Sequence, residues 1–305
     1  MIDLSIVVLN WNVRDLLDRC LASLRSGRYT LEIIVVDNAS QDDSVAMVRA
    51  KYPHAVVLAN TENRGFTGGN NQGIAASCGR YVMVLNPDTE VLGDTLDRLV
   101  IYLDEHPSVG AIGPQLLNPD QSVQSSRRRF PTLTTAFFES TWLQGLAPRG
   151  ILAHYYMDDV TPDHTHEVDW LNGACTVFRR EVIDRVGMYD AQNFFMYSEE
   201  LDLCRRVKEA GWLVVYLPEA QVVHHVGQSS DQAVAARHIY FQTSKVHYFR
   251  KWHGAFPASV LRVFLLSQYL WQIGLESVKS LLGSQRELRQ QRIKAYWQVV
   301  RTGLA

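Results

Sequence analysis

The feature that most constrains this chain is an alternation of short apolar runs with helix-like segments over its first 118 residues. Continuous β-branched runs are typical of strands that are buried on both faces. Four such runs recur at similar intervals: LSIVVL (4–9), EIIVVD (32–37), AVVLA (55–59) and YVMVL (81–85). Between the first two runs, segment 14–26 has apolar residues at helical spacing, and Ser40, Asp42 and Asp43 signal the start of a second helix. The alternation predicts an α/β fold with a mainly parallel sheet and helices on both faces.

The pattern weakens between residues 115 and 162, where a basic cluster at 127–129 is mixed with apolar residues. We expect a long, partly mobile segment there. Regularity returns at 168–187 with an apolar strand and a short helix, and a later loop leads into a helix that ends near Gly211. The stretch 214–230 closes the main domain. The sequence therefore predicts three parts: two halves of one domain, 1–118 and 119–252, and a C-terminal helical extension, 253–305.

Composition excludes several classes of protein. The 305 residues are 47% hydrophobic and 20% charged with a net charge of −2, which describes a folded globular protein without a nucleic-acid partner. The four cysteines are widely separated, so neither a zinc site nor a disulfide framework is expected, and a reducing compartment fits. The N-terminus lacks the basic leader of a signal peptide, and no run of about 18 uncharged apolar residues appears. We therefore expect a cytoplasmic protein, either soluble or attached to a membrane surface.

Polar side chains stand where the predicted parallel strands end. In such sheets ligands bind beyond the carboxyl ends of the strands. Asn10, Asp37 and Asp88 occupy those ends, together with the glycine-rich stretch 62–73. The Asn-Pro-Asp sequence after the fourth run is also an ordinary β-turn, but the shared edge favours a crevice in which Asp88 approaches a metal ion such as magnesium. The glycine spacing matches neither G-x-G-x-x-G nor a Walker A loop, although Arg64 offers a fork to a diphosphate.

Two further clusters carry titratable groups. Glu199, Glu200 and Asp202 precede an amphipathic helix, where the helix dipole favours acids that need no catalytic role. The apolar residues 194–197 before them would raise the pKa of a carboxyl group and suit it to act as a general base. The histidine pair at 224–225 follows a strand-like run and offers a further metal ligand, and a chance pair of surface histidines is the alternative.

Together these segments resemble the family 2 glycosyltransferases, and most closely their bacterial rhamnosyltransferase-like members. Seven segments occur in the family's order and span about residues 3–230: SIVVLNWN, VVDNAS, ENRGFTGGNNQG, LNPDTEV, WLNGACTVFRRE, FFMYSEELDLCRR and HHVGQSS. Any one of them is modest evidence, whereas seven in order are specific. The resemblance implies a GT-A fold, the nucleotide-diphospho-sugar transferase fold, with a mainly parallel central sheet flanked by helices.

The resemblance also implies roles by position, with residues 1–118 as the nucleotide-sugar-binding half of the domain and residues 119–252 as the acceptor-binding and catalytic half. It places Glu200 as the catalytic base, with Glu199 as the alternative because this chain has Glu-Glu where the family usually has Glu-Asp. It assigns Asp88 and His224 to a divalent metal, Mg or Mn, and favours His224 over His225 by the spacing to the following Gly and Ser. The donor-binding residues that it implies are Leu9, Asn10, Asp37, Arg64, Asn70, Asn86 and Asp88. The acceptor-binding residues that it implies are Trp170, Asn172, Gly173 and Asp202.

These roles describe an inverting, metal-dependent sugar transfer. The metal neutralises charge on the departing diphosphate, and the base removes a proton from the acceptor hydroxyl as it attacks the anomeric carbon. The resemblance implies dTDP-L-rhamnose as the donor and a cell-surface polysaccharide or a polyprenyl-linked saccharide as the acceptor. A UDP-sugar-dependent transferase of the same fold and a non-catalytic nucleotide-sugar-binding module are the alternatives. A nicotinamide-dependent oxidoreductase is disfavoured because no G-x-G-x-x-G follows the first run.

The residues beyond 252 lie outside the resemblance. Apolar residues dominate 258–282 with polar residues at spacings of three to six, which predicts an amphipathic helix, and the basic stretch RELRQQRIKAYWQVVR follows it. One interpretation is peripheral attachment to an anionic membrane surface at the inner face of the plasma membrane. The alternative is a helix that packs on its own domain or in a homodimer interface.

Overall fold

The structure of the protein, a computed structural model, describes residues 2–225, 234–283 and 285–305. Its strands are β1 (Leu4–Asn10), β2 (Leu31–Asp37), β3 (Val56–Ala59), β4 (Tyr81–Leu85), β5 (Thr89–Val91), β6 (Val109–Leu117), β7 (Arg127–Arg128), β8 (His166–Glu167), β9 (Trp170–Leu171), β10 (Cys175–Arg179) and β11 (Leu213–His224). Its α-helices are α1 (Arg14–Ser23), α2 (Ser44–Lys51), α3 (Gly65–Ala76), α4 (Thr95–Glu105), α5 (Leu133–Phe138), α6 (Arg149–Tyr156), α7 (Arg180–Val186), α8 (Glu199–Glu209), α9 (Val234–His253), α10 (Ala255–Leu281) and α11 (Arg286–Thr302). A short 3-10 helix spans Trp142–Leu146.

One mixed sheet runs in the order β3-β2-β1-β4-β10-β6-β11-β5, and β8 also pairs with β11. The strands β3, β2, β1 and β4 are parallel neighbours, as are β6 and β11. Strand β10 lies between β4 and β6 and is antiparallel to both. Strands β7 and β9 form a separate antiparallel ribbon. The predicted α/β architecture with a mainly parallel central sheet and C-terminal helices is confirmed.

Strand β1 shows why the early apolar runs are continuous. Its alternate side chains enter two cores, with Ile6 packed on one face of the sheet and Val7 on the other. Helix α3 lies very close to the second face: a Cβ atom at Gly73 would stand 2.3 Å from Val7, and one at Gly69 would stand 2.4 Å from Leu9. These two glycines are needed because a helix can approach a sheet this closely only where it carries no side chain.

The segment 115–162 is more regular than the sequence indicates. It contains the end of β6, the strand β7, the helices α5 and α6 and the 3-10 helix. Arg127 in the basic cluster is buried, and its guanidinium donates to the carbonyl oxygens of Val160 (2.8 Å) and Thr161 (3.0 Å). The partly mobile character predicted for this segment stays a prediction. Its helices and its strand were not predicted because the stabilising contacts join residues 33 and 34 positions apart, which no local pattern reveals.

The chain divides into two compact units. Their described residues are 2–130, 156–195 and 199–225 in the first unit, and 131–155, 196–198, 234–283 and 285–305 in the second. The first unit contains the sheet. In the second, the predicted helix at 258–282 is α10, which packs against α9 and α11. The functional division at residues 118 and 252 stays a prediction. Within the part of the chain that the structure describes, no helix has the length and apolar character needed to cross a membrane.

Candidate active site

The carboxyl ends of β1 and β2 form a polar corner. The parallel register puts Asn10 beside Asp37, and Asn10 Nδ2 donates to Asp37 Oδ1 at 2.8 Å. The other carboxylate oxygen, Oδ2, accepts from the backbone N–H of Ser40 at 2.9 Å. The Ser40 hydroxyl accepts in turn from Asn10 Nδ2 at 3.1 Å. Asp37 is only 2% exposed, so these contacts hold its carboxylate in one orientation.

The start of α3 stands next to this corner. Asn38 Nδ2 donates to the carbonyl oxygen of Gly65 at 3.0 Å, which joins the end of β2 to the first turn of the helix. Arg64 precedes the helix and is exposed, as a group that meets a phosphate from solvent has to be. Asn70 is buried, and its Nδ2 donates to the carbonyl oxygen of Phe66 at 3.0 Å. Most of the glycine-rich stretch is therefore a helix packed on the sheet and not a phosphate-binding loop.

Asp88 lies in the turn that follows β4. The Thr89 hydroxyl donates to the carbonyl oxygen of Asn86 at 2.7 Å, which closes the turn locally. The backbone N–H of Asn86 donates to the carbonyl oxygen of Ala174 at 2.9 Å, which ties the turn to the segment before β10. Asp88 itself is 6% exposed. The Asn-Pro-Asp sequence is thus a β-turn, and the turn presents a buried carboxylate at the carboxyl edge of the sheet.

His224 faces Asp88 because β11 pairs with β5 and places His224 opposite Thr89. Its Nε2 atom lies 3.5 Å from Asp88 Oδ1, and its Nδ1 atom lies 2.7 Å from Gln124 Oε1. Gln124 Nε2 donates to Asn118 Oδ1 at 2.9 Å, so the amide oxygen is the atom that faces the ring. In the neutral imidazole the proton therefore sits on Nδ1, and the lone pair of Nε2 faces Asp88.

His225 has a different partner. Its Nε2 atom lies 2.8 Å from Glu90 Oε1, and its backbone N–H donates to the carbonyl oxygen of Asp88 at 2.9 Å. Of the two histidines, the structure brings the ring of His224 to the Asp88 carboxylate, while the role of His224 as a metal ligand stays a prediction. The Gly and Ser residues that entered that choice, in the VGQSS part of HHVGQSS, lie outside the described residues.

A divalent cation fits the Asp88–His224 pair. One carboxylate oxygen and one imidazole nitrogen are suitable ligands for divalent metals. Two ligands on adjacent octahedral positions at about 2.1 Å from a cation lie about 3.0 Å apart, so the observed 3.5 Å needs only a small adjustment. Within residues 2–225, 234–283 and 285–305, no three His, Cys, Asp or Glu side chains cluster as a metal cage. The remaining ligands would therefore be oxygens of a diphosphate or of water.

Glu199 and Glu200 open α8 as an acidic pair in which Glu199 is buried and Glu200 is partly buried. Burial raises the pKa of Glu199 well above its ordinary value, and the neighbouring Glu200 carboxyl group raises it further. Burial also raises the pKa of Glu200, but hydrogen bonds from its own backbone N–H, from Glu199 and from the Gly173 N–H act in the opposite direction. The two carboxyl groups therefore influence each other's ionisation and titrate as a pair.

One oxygen of each of these two carboxyl groups, Oε2, is buried without a hydrogen-bond partner among the described residues. Buried polar atoms are normally paired, so an unpaired oxygen marks a group that is poised to interact. A carboxylate that has a free oxygen, and whose hydrogen bonds partly offset the effect of burial on its pKa, can take a proton from a hydroxyl group placed next to it. Glu200 meets this description better than Glu199.

Three of the four predicted acceptor-side residues lie on one short segment. Trp170 Nε1 donates to the carbonyl oxygen of Arg129 at 3.0 Å. The Asn172 side chain accepts from the backbone N–H of Ala174 at 3.0 Å. Gly173 lies against Glu200, since a Cβ atom at Gly173 would stand 3.7 Å from its carboxyl group. The segment is thus held rigidly, and it lines the side of the site that contains the acidic pair.

Asp202 differs from these residues. It is 0% exposed and accepts from Arg206 Nε at 2.9 Å. Arg206 in turn donates to the carbonyl oxygens of Val186 (2.7 Å) and Met188 (2.8 Å), so the ion pair fixes the loop after α7 against α8. In place of the predicted contact with the acceptor, the geometry favours a positioning role for Asp202, because its carboxylate does not reach solvent.

With this geometry in place, comparison with known proteins is direct. Residues 5–187 match the family model described as glycosyl transferase family 2. The matched stretch contains the polar corner, the Asp88 turn and the Trp170–Gly173 segment, and it covers more than half of the chain. The chain belongs to glycosyl transferase family 2. It is a glycosyltransferase with the GT-A fold, as the resemblance of its motifs implied.

The similar proteins include two bacterial rhamnosyltransferases. The chain is 31% identical over 245 residues to an N-acetylglucosaminyl-diphospho-decaprenol L-rhamnosyltransferase of Mycobacterium tuberculosis, which covers 76% of this chain and 79% of that protein. It is 25% identical over 230 residues to the rhamnosyltransferase WbbL of Escherichia coli, which covers 72% of this chain and 82% of that protein. The similarity to rhamnosyltransferases predicted from the motifs is confirmed.

Among solved structures, the fold is similar to that of the mannosyltransferase PcManGT from Pyrobaculum calidifontis, which was determined in complex with GDP-Man and Mn²⁺. The TM-score is 0.56, the identity is 17%, and the alignment covers 98% of this chain and 86% of that chain. This likeness shows the fold of the glycosyltransferase.

Sequence reasoning missed several residues of the site. Gln124 orients His224 from 100 positions away, and Asn38 joins β2 to α3. Ser40 was noted only as a helix start, yet its hydroxyl and N–H complete the Asp37 corner. Arg128 lowers the pKa of the Glu200 carboxyl group through its positive charge. Asn38 and Ser40 lie within the quoted VVDNAS motif, which was a usable signal, whereas nothing local distinguishes Gln124 or Arg128.

Proposed function

We propose that this glycosyltransferase transfers L-rhamnose from dTDP-L-rhamnose, with inversion at the anomeric carbon, to a cell-surface polysaccharide or a lipid-linked saccharide. The observation that carries the proposal is the meeting of two chemical groups at one edge of the sheet. The Asp88 turn is bonded to Ala174, and the adjacent Gly173 lies against Glu200. The proposed diphosphate site and the candidate base are therefore joined through the two adjacent residues Gly173 and Ala174.

In this proposal Glu200 is the general base. Its carboxylate accepts the proton of the acceptor hydroxyl while the hydroxyl oxygen attacks the anomeric carbon from the face opposite the leaving diphosphate. In this proposal the two groups share one proton, which resides on Glu199 because burial and the neighbouring Glu200 act together to raise the pKa of Glu199, and Glu200 is left ionised. A single base with direct displacement gives inversion, whereas a retaining reaction through a covalent intermediate needs a carboxylate nucleophile.

The donor side is proposed to consist of the Asp37 corner and the Asp88 turn. Asp37 and Asn10 would bind the nucleobase beside Leu9, while Arg64 and Asn70 at α3 and Asn86 in the turn would contact the rest of the donor. Asp88 and His224 would hold a divalent cation, Mg²⁺ or Mn²⁺, which when bound neutralises negative charge on the departing nucleoside diphosphate. Gln124 keeps the His224 lone pair turned to that position.

The choice of substrate is supported by the relatives. Two of them are rhamnosyltransferases by name, and the mycobacterial one acts on N-acetylglucosaminyl-diphospho-decaprenol. A polyprenyl-linked saccharide is therefore the favoured acceptor, with Trp170, Asn172 and Gly173 on its side of the site. The cytoplasmic location predicted from the sequence is part of this proposal, because nucleotide sugars are the donors.

Two alternative functions would use the same donor site. A UDP-sugar would fit the same diphosphate site, because nothing in the Asp37 corner distinguishes uracil from thymine by charge. A non-catalytic module that only binds nucleotide sugars would use the donor side and leave the acidic pair idle. The structure favours the enzyme because the Glu199–Glu200 pair has buried, unpaired oxygens, an arrangement that a binding module has no need to maintain.

Thermal unfolding of the purified protein tests the donor and the metal. We expect dTDP with Mn²⁺ to raise the melting temperature more than UDP or GDP, since a ligand at ~100 times its Kd adds about 2.7 kcal/mol of stability. The Asp88→Asn variant should lose the metal-dependent part of that shift, while Asp120→Asn, an exposed control outside the site, should keep it. A larger increase in melting temperature with UDP would identify a UDP-sugar as the donor in place of dTDP-L-rhamnose. An increase without any sugar transfer would favour the binding module.

A further inference from the structure

Helix α10 in the second unit has its polar and apolar faces in unusual places. A helix on the surface of a water-soluble bundle normally turns its apolar stripe inward and its polar residues outward. Here Gln268 and Glu276 are buried at 5% and 8% exposure, whereas Val263 and Trp271 are 67% and 59% exposed. Part of the apolar face of α10 is therefore turned outward.

The outward face extends along most of the helix. Its exposed apolar residues lie in two groups, before residue 264 and after residue 269, which together we call the α10 outer face: Phe256, Val260, Val263, Leu270, Trp271, Leu275, Val278 and Leu281. A helix of 27 residues is about 40 Å long. Scattered exposed apolar residues are normal on proteins, but eight of them on one helix mark a surface that contacts an apolar partner.

The inward face of α10 is already occupied within the unit. Phe264 meets Phe137 of α5 edge to face with ring centroids 4.7 Å apart. The Tyr269 hydroxyl lies 3.2 Å from His238 Nδ1 of α9, and Glu276 is bonded to Arg289 of α11 at 2.9 Å. These contacts settle which side of α10 faces the described helices of its unit.

The segment of the chain that contains this face is strongly basic. Residues 234–305 contain 11 Lys and Arg against 2 Asp and Glu, whereas residues 1–233 contain 19 against 30. The net charge of −2 for the chain thus hides a basic C-terminal segment attached to an acidic remainder. On α11, Lys294, Arg301 and the partly exposed Trp297 line one shallow surface concavity. Cationic and indole side chains are the groups that anchor a protein at a lipid headgroup layer.

We propose that the α10 outer face docks on an anionic lipid bilayer, with its apolar residues in the headgroup–acyl boundary and the basic residues of this segment against the acidic headgroups. An apolar helix face in a basic segment matches the chemistry of such an interface. A nucleic acid does not match it, because a nucleic acid offers no apolar surface to cover a helix face about 40 Å long. The inference rests on the helix itself and holds whichever sugar or acceptor the enzyme uses.

A second copy of the chain is the other partner that an apolar helix face could have. A twofold interface places the same patch on both sides, so two segments with the same excess of basic residues would be brought together. Like charges that face each other across an interface oppose association. Acidic headgroups have the opposite sign and remove this cost, which is why we favour the bilayer over the homodimer.

Vesicle co-sedimentation of the full-length protein tests the proposal. We expect binding to vesicles of phosphatidylcholine mixed with phosphatidylglycerol, weaker binding to phosphatidylcholine alone, and loss of binding at high salt. Val263→Glu and Trp271→Glu should each weaken partitioning at least about tenfold, since burying a charge opposes insertion of the outer face. Lys294→Gln should weaken it about fivefold, as expected for one cation near an anionic surface.

The matched control is Val56→Glu, which places the same charge at an exposed valine on β3 of the first unit. It should bind vesicles as the wild type does. Thermal unfolding checks that each variant is folded, and nucleotide-dependent stabilisation checks the donor site separately, so a failure of docking is distinct from a failure of the proposed function. The proposal is overturned if no vesicle binds the wild type, or if the Val263 and Trp271 variants bind unchanged. It is equally overturned if the wild type is a dimer without lipid that these variants convert to monomers.

Discussion

The Asp37 corner and the Glu199–Glu200 pair are two buried acidic regions of the same unit, and they are built in opposite ways. Both carboxylate oxygens of Asp37 accept hydrogen bonds from neighbouring groups on the β1 and β2 ends. At the acidic pair, one oxygen of each carboxyl group has no partner among the described residues, and the pKa of both groups is raised. A satisfied carboxylate is a fixed element of recognition, whereas an unsatisfied one in a dry environment is available for proton transfer.

Among substitutions in these two regions, the largest expected effect is the loss of catalysis when the proposed base is replaced. Glu200→Gln removes the proposed base but keeps the shape of the side chain, so we expect the rate of sugar transfer to fall by about 10²–10⁴-fold. Stabilisation by nucleotide should be nearly unchanged, because the donor side is intact. The control is Glu209→Gln at the exposed end of the same helix. If Glu199→Gln abolishes transfer while Glu200→Gln retains it, the base is Glu199 and our assignment is reversed.

A smaller effect is expected at the residue that orients the proposed metal ligand. Gln124→Ala removes the acceptor for His224 Nδ1 and frees the ring to change tautomer, so we expect Mn²⁺ affinity to drop about 10–100-fold. Gln124→Glu keeps an oxygen acceptor and should restore most of that affinity. Calorimetric titration of the protein with Mn²⁺ in the presence of nucleotide measures the effect. Gln290→Ala, at an exposed position, is the control. If wild type and Gln124→Ala have equal Mn²⁺ affinity, Gln124 does not orient the metal ligand.

The pH dependence of stability should sharpen the contrast further. The pKa of Glu199 lies near 4.5 in an unfolded chain and is raised well above that in the folded protein. Between these two values the folded state binds more protons than the unfolded state, so the free energy of unfolding decreases as the pH rises from about 4.5. Glu199→Gln cannot ionise and should show a flatter dependence, with a higher stability at neutral pH than the wild type.

Urea denaturation at several pH values measures this difference. Glu209→Gln should follow the wild-type curve, because that residue is exposed at the end of α8. Parallel curves for wild type and Glu199→Gln would show that the acidic pair is ionised in the folded protein, and the shared-proton description would then be wrong.

The smallest effect is expected at the Asp37 corner, where both carboxylate oxygens accept hydrogen bonds. Ser40→Ala removes the hydroxyl that accepts from Asn10 Nδ2 and from the Asn12 N–H, and we expect the free energy of unfolding to fall by about 1 kcal/mol. Nucleotide affinity should change by less than tenfold, because the Ser40 N–H still holds Asp37. Ser259→Ala on an exposed helix surface provides the control. A large loss of transfer in Ser40→Ala would mean that the corner takes part in the chemistry and that the contrast is not real.

The elements that the sequence predicted well are those whose signal is local. The runs at 4–9, 32–37 and 81–85 appear as β1, β2 and β4 with their ends displaced by no more than one residue. Their identity follows from burial on both faces, which leaves an uninterrupted apolar run in the sequence. The helices and the strand within 115–162 were not predicted, because Arg127 and its carbonyl partners are held together by contacts between distant residues.

The residues of the candidate site also differ in whether their position has a local signal in the sequence. Asn10, Asp37 and Asp88 were identifiable because each follows a strand whose carboxyl end must lie at the binding edge of a parallel sheet. The position of Asp202 could not be predicted from the sequence, because a carboxylate at the start of an amphipathic helix can face either the site or the interior. Its burial against Arg206 depends on how the loop after α7 packs.

By itself, the amino-acid sequence determined the order of strands and helices, the family and the acids available for chemistry, since these depend on periodicity and on residue type. Only the tertiary structure decided that Gln124 holds the ring of His224, that the pKa of both Glu199 and Glu200 is raised by burial, and that α10 turns an apolar face outward. Each of those outcomes depends on which surfaces meet and how deeply a group is buried. Burial and pairing are properties of the folded chain, because they arise between residues that are far apart in sequence.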